Sequence, residues 1–335
     1  MYQKQKRTFN PTVTIVIPVY NVELYIERCA RSLYEQSYPY IEYIWVNDAS
    51  EDKSIQILKE ITKQYSFRDS SVVILEHGVN KGLPSARNTG LAASRGEYIF
   101  HCDSDDVVDP DMISCFMDDA IRNNSDIVYS DWFLSFKKNE RYMQQPAYTT
   151  SKECVKAMLS GCMRFNVWNK LVRRRLYMKN EIIFPSGYGM GEDITMIKLF
   201  IVAERVSYLP KAFYHYMQQN PKAFTKVFSE EHWQQLYHNV FDIKDFIKKR
   251  YGDLYVNELH FFCLNVKLPL LITNDYSSYE RWLVSFTESN IYINSNHLIS
   301  SRIRWVQRMA VKRNFWLVRA HYYLIIKVIY GIIYR

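Results

Sequence analysis

No aspartate or glutamate occurs after Glu288. The last 47 residues of this 335-residue chain carry eight basic residues: Arg302, Arg304, Arg308, Lys312, Arg313, Arg319, Lys327 and Arg335. The net charge of +8 therefore resides in the tail, and residues 1–288 balance to zero. A basic body would point to nucleic acid. A neutral body with a basic, aromatic end points instead to an anionic plane, so nucleic acid is not the expected partner. Glycine and proline are scarce, 10 each, which excludes collagen-like and linker-like chains. Six cysteines (29, 102, 115, 154, 162, 263) form no C-x-x-C pair. That argues against a zinc module and a disulfide framework, and suits a reducing compartment. No run of 18 uncharged apolar residues is present, so no spanning helix is expected. The segment MYQKQKRTFNPT is basic, but no apolar stretch or cleavage site follows, so no signal peptide is expected. There is no G-x-x-x-x-G-K-[ST] and no G-x-S-x-G. GYGMG (187–191) lacks the strand and spacing of a dinucleotide fingerprint.

What is present is a rhythm. VTIVIPV (13–19), YIWV (43–46), VVIL (72–75), YIF (98–100) and DIVYS (126–130) are short apolar runs about 30 residues apart. Helical patterns lie between them. Ile55, Leu58, Ile61 and Tyr65 share one face. Ser85 is placed to cap a helix that ends at Gly96, and Asp109 with Pro110 reads as the start of another. This is the pattern of βαβ units: an α/β fold with a doubly wound, mostly parallel sheet and helices on both faces. Residues 226–300 read as long helices and 301–335 as a basic aromatic tail.

Ligands bind such sheets beyond the carboxyl ends of the strands. There the chain places Tyr20-Asn21, Asn47-Asp48-Ala49-Ser50, His77 to Lys81 and Asp103-Ser104-Asp105-Asp106. Three carboxylates in four residues repel one another unless a cation neutralises them. Hard oxygen donors suit Mg²⁺ or Mn²⁺, which keep positions for substrate phosphates. The bland alternative is a solvated acidic turn.

TVTIVIPVYN (12–21), VNDASEDKS (46–54), NKGLPSARNTGLAASRGEYIFHCDSDD (80–106), WNKLVRRRL (168–176) and GED (191–193) together resemble the inverting family 2 glycosyltransferases of GT-A fold. The resemblance covers about residues 12–225. It implies a nucleotide-sugar donor, most often a UDP-sugar, and a place in bacterial surface-polysaccharide assembly. It further implies that Pro18, Tyr20 and Asn21 hold the base, that Asp48 accepts from the uracil N–H, and that Asn80 and Arg87 line the nucleotide. Asp103, with Ser104, would lie near the ribose. Asp105 would bridge a metal to the diphosphate, with Asp103 beside it in the metal site. Asp193, with Glu192, would supply the general base. Ala49 stands where Gly is usual, Pro84 where Ser is usual, His101-Cys102 where apolar residues are usual, and Met217 where Arg is frequent. An ionised carboxylate at a helix start is stabilised by the helix dipole, and Asp193 precedes the pattern Ile194, Ile197, Ile201. Capping alone is the competing reading of Glu192 and Asp193.

Trp168 offers a face for stacking on an acceptor sugar, with Lys170 nearby, or else is a core residue. His215 reads as structural, with a metal role the less favoured alternative. In the tail, Arg304, Arg308, Lys312 and Arg319 fall in one quarter of a single helix, and the remainder is largely aromatic and aliphatic, with Trp305, Phe315, Trp316 and Tyr323. That is an amphipathic helix lying on anionic lipid, or a cap docked on the catalytic unit. The expected organisation is a catalytic domain at 1–225, a helical extension at 226–300 and the tail at 301–335. The expected protein is cytoplasmic, peripheral at the inner face of the plasma membrane, and acts on a saccharide or lipid-linked saccharide in capsule, exopolysaccharide or lipopolysaccharide synthesis. The rival readings are a sugar nucleotidyltransferase and a non-catalytic nucleotide-binding scaffold.

Overall fold

The computed structural model describes residues 13–220 and 229–330; the basic N-terminal segment and residues 331–335 of the tail lie outside them. Strand β1 (Val13–Val19) is buried along its whole length. It pairs in parallel with β2 (Ile41–Asn47) on one side and β4 (Tyr98–His101) on the other, and β2 pairs in parallel with β3 (Val72–Glu76). A strand covered on both faces must read as a continuous apolar run, and this one does. On β2 the alternation sorts the two faces. Tyr43 and Trp45 pack with Leu33 and Leu58, whereas Ile44 and Val46 pack with Ala86.

The first cover comes from α1 (Ile26–Tyr34) and α2 (Ser54–Gln64). Ile26, Cys29, Ala30, Leu33 and Tyr34 form the buried stripe of α1 at helical spacing. The second comes from α3 (Leu83–Ala93), which crosses β1 closely because Gly90 has no Cβ: one built there would stand 2.4 Å from Val16 Cγ1. This helix begins earlier than Ser85. Its N-cap is Gly82, with Pro84 in the first turn, where the missing N–H costs nothing. Likewise α4 (Met112–Asn123) is capped at Asp111, not Asp109, whose carboxylate takes the His215 ring instead.

Beyond β4 the sheet becomes mixed. Its order is β3-β2-β1-β4-β8-β6-β9-β5, with β7 paired to β6. Here β5 is Val107–Val108, β6 Ile127–Ser135, β7 Glu140–Met143, β8 Lys170–Arg173 and β9 Val206–Met217. The antiparallel strand β8 brings chain from far along the sequence against β4, and β9 does the same against β5, just after the acidic cluster. The helices α5 (Ser151–Ser160), α6 (Arg174–Lys179) and α7 (Thr195–Val202) complete this half.

The C-terminal helices are α8 (Glu230–Tyr251), α9 (Val256–Lys267), α10 (Tyr276–Val284), α11 (Ser301–Val311) and α12 (Phe315–His321). They share one apolar core with the sheet. Each fully buried aliphatic or aromatic side chain in it contributes about 1.5–3 kcal/mol. The tail is two helices rather than one. The chain breaks at Lys312–Asn314, with Arg313 at φ +57°. Val306, Ala310, Phe315 and Val318 face the core, so the docked reading holds for that side. The break also disperses the expected basic stripe. Arg304 donates to the carbonyls of Asn296 and Ile299, Arg313 pairs with Glu280, and Arg319 lies over Tyr276 and Tyr323. Among the described residues no helix is long and apolar enough to cross a membrane.

Candidate active site

The ends of β1 and β2 are tied together by short polar side chains. Asn21, at φ +51°, accepts from the Glu51 N–H through Oδ1 (3.0 Å), while its own N–H donates to Ser50 Oγ (3.2 Å). Ser54 Oγ accepts the Val22 N–H at 2.9 Å. Tyr20 is half exposed beside them, and Pro18 is buried in the strand. An open cleft of about 330 Å³ lies here, lined by Asn21, Tyr25, Glu51, Asp52 and, from the far side, Asn220.

Asp48 sits deeper. Its Oδ1 accepts from His77 Nδ1 (2.6 Å) and the Lys81 N–H (2.8 Å), and its Oδ2 from the Gly82 N–H (2.8 Å). The carboxylate thus shapes the 77–82 loop, leaving one acceptor position on Oδ2. Asn80 is exposed on that loop, its Oδ1 also accepting the Gly82 N–H.

The acidic cluster divides by role. Asp106 is fully buried, accepting from Tyr214 Oη and the Met217 N–H, both at 2.7 Å. Tyr214 Oη in turn accepts the Asp103 N–H (3.1 Å). Asp106 is therefore the brace that fastens the cluster to β9. Asp103 accepts from Arg87 Nη2 at 2.9 Å, and Asp105 from Asn220 Nδ2 at 2.9 Å. Ser104 is buried between them. Burial, and then the charge of Asp103, pushes the Asp105 carboxyl above its usual range. Arg28 of α1 partly offsets this while donating to the Asp105 carbonyl (2.8 Å).

Arg87 is the hub. It is 1% exposed, so it lies beneath the site and presents almost no surface to a nucleotide. Its Nη2 is 3.6 Å from Glu192 as well as bonded to Asp103. Burial works against its charge, but Asp103, Glu192 and Asp193 together outweigh it and raise its pKa further. Its Nε and Nη1 are buried with no hydrogen-bond partner, as is Asp193 Oδ1. Cation and anions are thus gathered in one pocket whose polar atoms are incompletely satisfied, which is costly unless a ligand or water completes it. Glu192 and Asp193 occupy a 3-10 turn that leads into α7. The helix start does not hold their carboxyls ionised as expected from sequence. Burial dominates: Glu192 is pushed up to about 8, with Asp193 adding, and Asp193 up to about 6, with Asp103 adding and Arg87 and Lys170 opposing.

Two expected acceptor contacts are overturned by burial. Trp168 is 4% exposed and stacks on Tyr214 (4.5 Å between centroids) and Tyr216 (5.1 Å), with Trp132 edge-on. It offers no free face to a sugar. Lys170 is also buried, and its three N–H bonds go to the carbonyls of Arg164 and Asn166 and to Asn169 Oδ1, at 2.6–3.1 Å. Burial pushes its pKa down to about 7. It braces the 164–169 loop, from which the Val167 N–H reaches Asp193. His215 is structural: it bridges Glu140 (2.7 Å) and Asp109 (3.1 Å) and stacks on Phe133. Sequence reading gave no role to Arg28, Asp106 as a brace, Asn88 or Asn220.

Asp103 and Asp105 are the candidate metal ligands. Among the described residues no group of three or more His, Cys, Asp or Glu is arranged around an ion. Two hard carboxylates held close together, with Asp105 pushed up by burial and by Asp103, nevertheless fit a divalent cation whose remaining positions come from phosphates and water.

A sheet of this order, with its acids at the end of β4 and a second acidic pair facing them, defines a GT-A glycosyltransferase. Residues 14–191 match the Glycosyl transferase family 2 profile, and the chain belongs to that family. It is 31% identical over 283 residues to EpsJ of Bacillus subtilis (strain 168), named as an uncharacterized glycosyltransferase, covering 80% of this chain and 79% of that one. Its fold resembles S. aureus TarS 1–349, solved in complex with UDP-GlcNAc (TM-score 0.68, 19% identity, 93% of this chain and 91% of the other). It also resembles the mannosyltransferase PcManGT of Pyrobaculum calidifontis, solved with GDP-Man and Mn²⁺ (TM-score 0.53, 15% identity, 93% and 87%).

Proposed function

We propose that the protein moves a sugar from a nucleotide-sugar, a UDP-sugar, to a hydroxyl of a saccharide acceptor in bacterial polysaccharide synthesis, with inversion at the anomeric carbon. The observation that carries this is the convergence of Asp103, Glu192 and Asp193 on Arg87, with Asp105 beside Asp103. The nucleotide lies over Pro18, Tyr20, Asn21, Asp48 and Asn80. Asp103 and Asp105 would hold Mn²⁺ or Mg²⁺, which when bound neutralises charge developing on the diphosphate leaving group. Glu192 and Asp193 divide the acid–base work. Burial raises both carboxyls, Asp193 adds to the rise at Glu192, and Arg87 and Lys170 oppose it at Asp193, so Asp193 is read as the base and Glu192 as its neutral neighbour. The acceptor oxygen attacks the anomeric carbon as the bond to diphosphate breaks, and its proton passes to Asp193, whose Oδ1 has no competing donor. A single displacement with one base inverts configuration. A thermal-shift screen of UDP- and GDP-sugars with Mn²⁺, followed by the anomeric configuration of the product by NMR, tests this. Stabilisation by UDP-sugars and an inverted product are expected; a retained anomer contradicts the scheme.

We further propose that residues 1–225 are the catalytic unit and 226–300 its helical extension, with residues 301–335 resting on the inner face of the plasma membrane, where a lipid-linked acceptor would be presented. Trp316, Tyr323, Leu324 and Val328 are exposed on the outward side of the tail, with Arg302, Lys312 and Arg313 exposed on α11 and the turn after it. Apolar rings beside cations suit anionic headgroups. Flotation with phosphatidylglycerol vesicles is expected to recover the protein, and Trp316→Ala with Leu324→Ala to lower recovery severalfold. Equal recovery on phosphatidylcholine removes the electrostatic part of the reading.

A further inference from the structure

The Glycosyl transferase family 2 match ends at Gly191, one residue before the acidic pair, and α8 begins 39 residues later. Yet α8 forms the floor of the loop that delivers this pair. Four of its residues, 235, 236, 238 and 239, share one face. Gln235 Oε1 accepts the Met190 N–H at 3.0 Å. Asn239, buried, donates through Nδ2 to the carbonyls of Tyr188 (3.0 Å) and Met190 (2.9 Å). His238 stacks on Tyr188 with centroids 3.7 Å apart and planes within 11°. Leu236 fills the space over Gly191, where a Cβ would meet its Cδ1 at 2.6 Å; the φ of +79° there also calls for glycine. One helical turn on, Asp242 pairs with Lys198 of α7 at 2.6 Å, so the same face also holds the helix that follows the acids. From the opposite side α3 grips the start of this loop. Asn88 donates to the Phe184 carbonyl and accepts the Phe184 N–H, both at 2.8 Å. Its neighbour Arg87 holds Glu192.

We propose that Gln235 and Asn239 of α8 are positioning residues of the transfer reaction. They fix the Gly187–Gly191 loop so that the carboxylate that follows it meets the acceptor hydroxyl. The helical extension is thereby part of the catalytic machinery and not only a cap on the core. This inference rests on the reading of Asp193 as the base. Asn88 and Arg87 hold the two ends of this stretch and α8 supplies the side-chain hydrogen bonds between them; a base displaced by about 1 Å costs about 10²-fold in rate.

The test uses the full chain with Mn²⁺ and three probes: UDP binding, hydrolysis of UDP-glucose, UDP-galactose and UDP-GlcNAc, and amide hydrogen exchange. Gln235→Leu keeps the side-chain volume and loses the acceptor; Gln235→Glu keeps an acceptor oxygen for the Met190 N–H. Gln235→Leu is expected to lower kcat by about 10- to 100-fold, with UDP affinity and KM for the donor within about twofold, and to speed exchange at residues 186–193 alone. Gln235→Glu is expected to restore most of the rate. Asn239→Ala is expected to act the same way, and where it fails to fold the Gln235 pair decides. A Gln235→Leu protein that melts lower but keeps wild-type kcat and loop protection overturns the proposal, because a purely structural role gives that result. If all hydrolysis is too slow to read, the exchange at 186–193 decides alone. Asp193→Asn separates the two levels: full activity in that variant removes the base itself, whereas its loss together with an unaffected Gln235→Leu removes only the positioning role.

Discussion

Asp126 and Asp193 are both buried carboxylates of the same domain, and the fold treats them in opposite ways. Asp126 Oδ1 accepts from Arg175 at 2.6 Å, and its Oδ2 from the Glu204 and Arg205 N–H groups at 3.0 and 3.2 Å. Burial alone would raise its pKa, but these donors outweigh it and hold the carboxyl below its usual range. Asp193 keeps an oxygen with no partner and is pushed up to about 6. A fully satisfied acid strengthens the fold it sits in. An unsatisfied one costs stability, and that cost is retained where chemistry needs an available lone pair.

Replacing each acid with its amide sharpens the comparison. Asp193→Asn is expected to lower transfer by about 10²–10⁴-fold while UDP binding with Mn²⁺ stays near normal; calorimetry paired with a rate assay checks both. Asp126→Asn is expected to do the reverse. It should destabilise by about 2 kcal/mol in urea unfolding, with kcat per folded molecule unchanged. A rate loss there would break the division between structural and working acids.

Smaller effects appear on titration. For Asp126 the folded pKa is depressed, so its stabilisation is present above the usual aspartate value and is lost as pH falls through the folded value. For Glu192 the folded pKa is raised to about 8 from 4.5. The native state then binds the proton more tightly than the unfolded chain. Its favourable contribution is complete below about 4.5 and is lost as pH rises through about 8. The unliganded protein should therefore lose stability from this group between pH 5 and 8. Glu192→Gln should flatten that part of the stability profile, and an unchanged slope would place the titrating group elsewhere. Transfer itself should fall as pH drops through about 6, where Asp193 takes up its proton.

The first half of the sheet was legible in sequence because each parallel strand is buried on both faces and must be a pure apolar run. The carboxyl-end rule then marked Asp48, Asp103 and Asp105 without coordinates. Helix starts were less legible. Ser85 and Asp109 are good capping residues, but Gly82 with Pro84 and the pull of His215 on Asp109 decided otherwise. Trp168 and Lys170 were misplaced because sequence shows residue type and not which side of β9 covers it. Tyr214 and Tyr216, two residues apart on that strand, close over the indole. The motif singled out Asp193 as a candidate, but not the sign of its environment. Only the packing of α3 and the 164–169 loop around it reveals that burial outweighs the helix start. The grip of α8 was not legible at all, since its residues are ordinary helix-surface types until the loop is laid across them.

The central proposal is that Asp103 and Asp105, just past the end of β4, form a cation-dependent donor site. The most direct measurement is the heat of UDP binding with and without Mn²⁺, for the wild-type protein and for Asp105→Ala. The wild type should bind UDP far more tightly with Mn²⁺, and the variant should show no such enhancement. An Asp105→Ala protein with wild-type, Mn²⁺-dependent affinity would contradict the account.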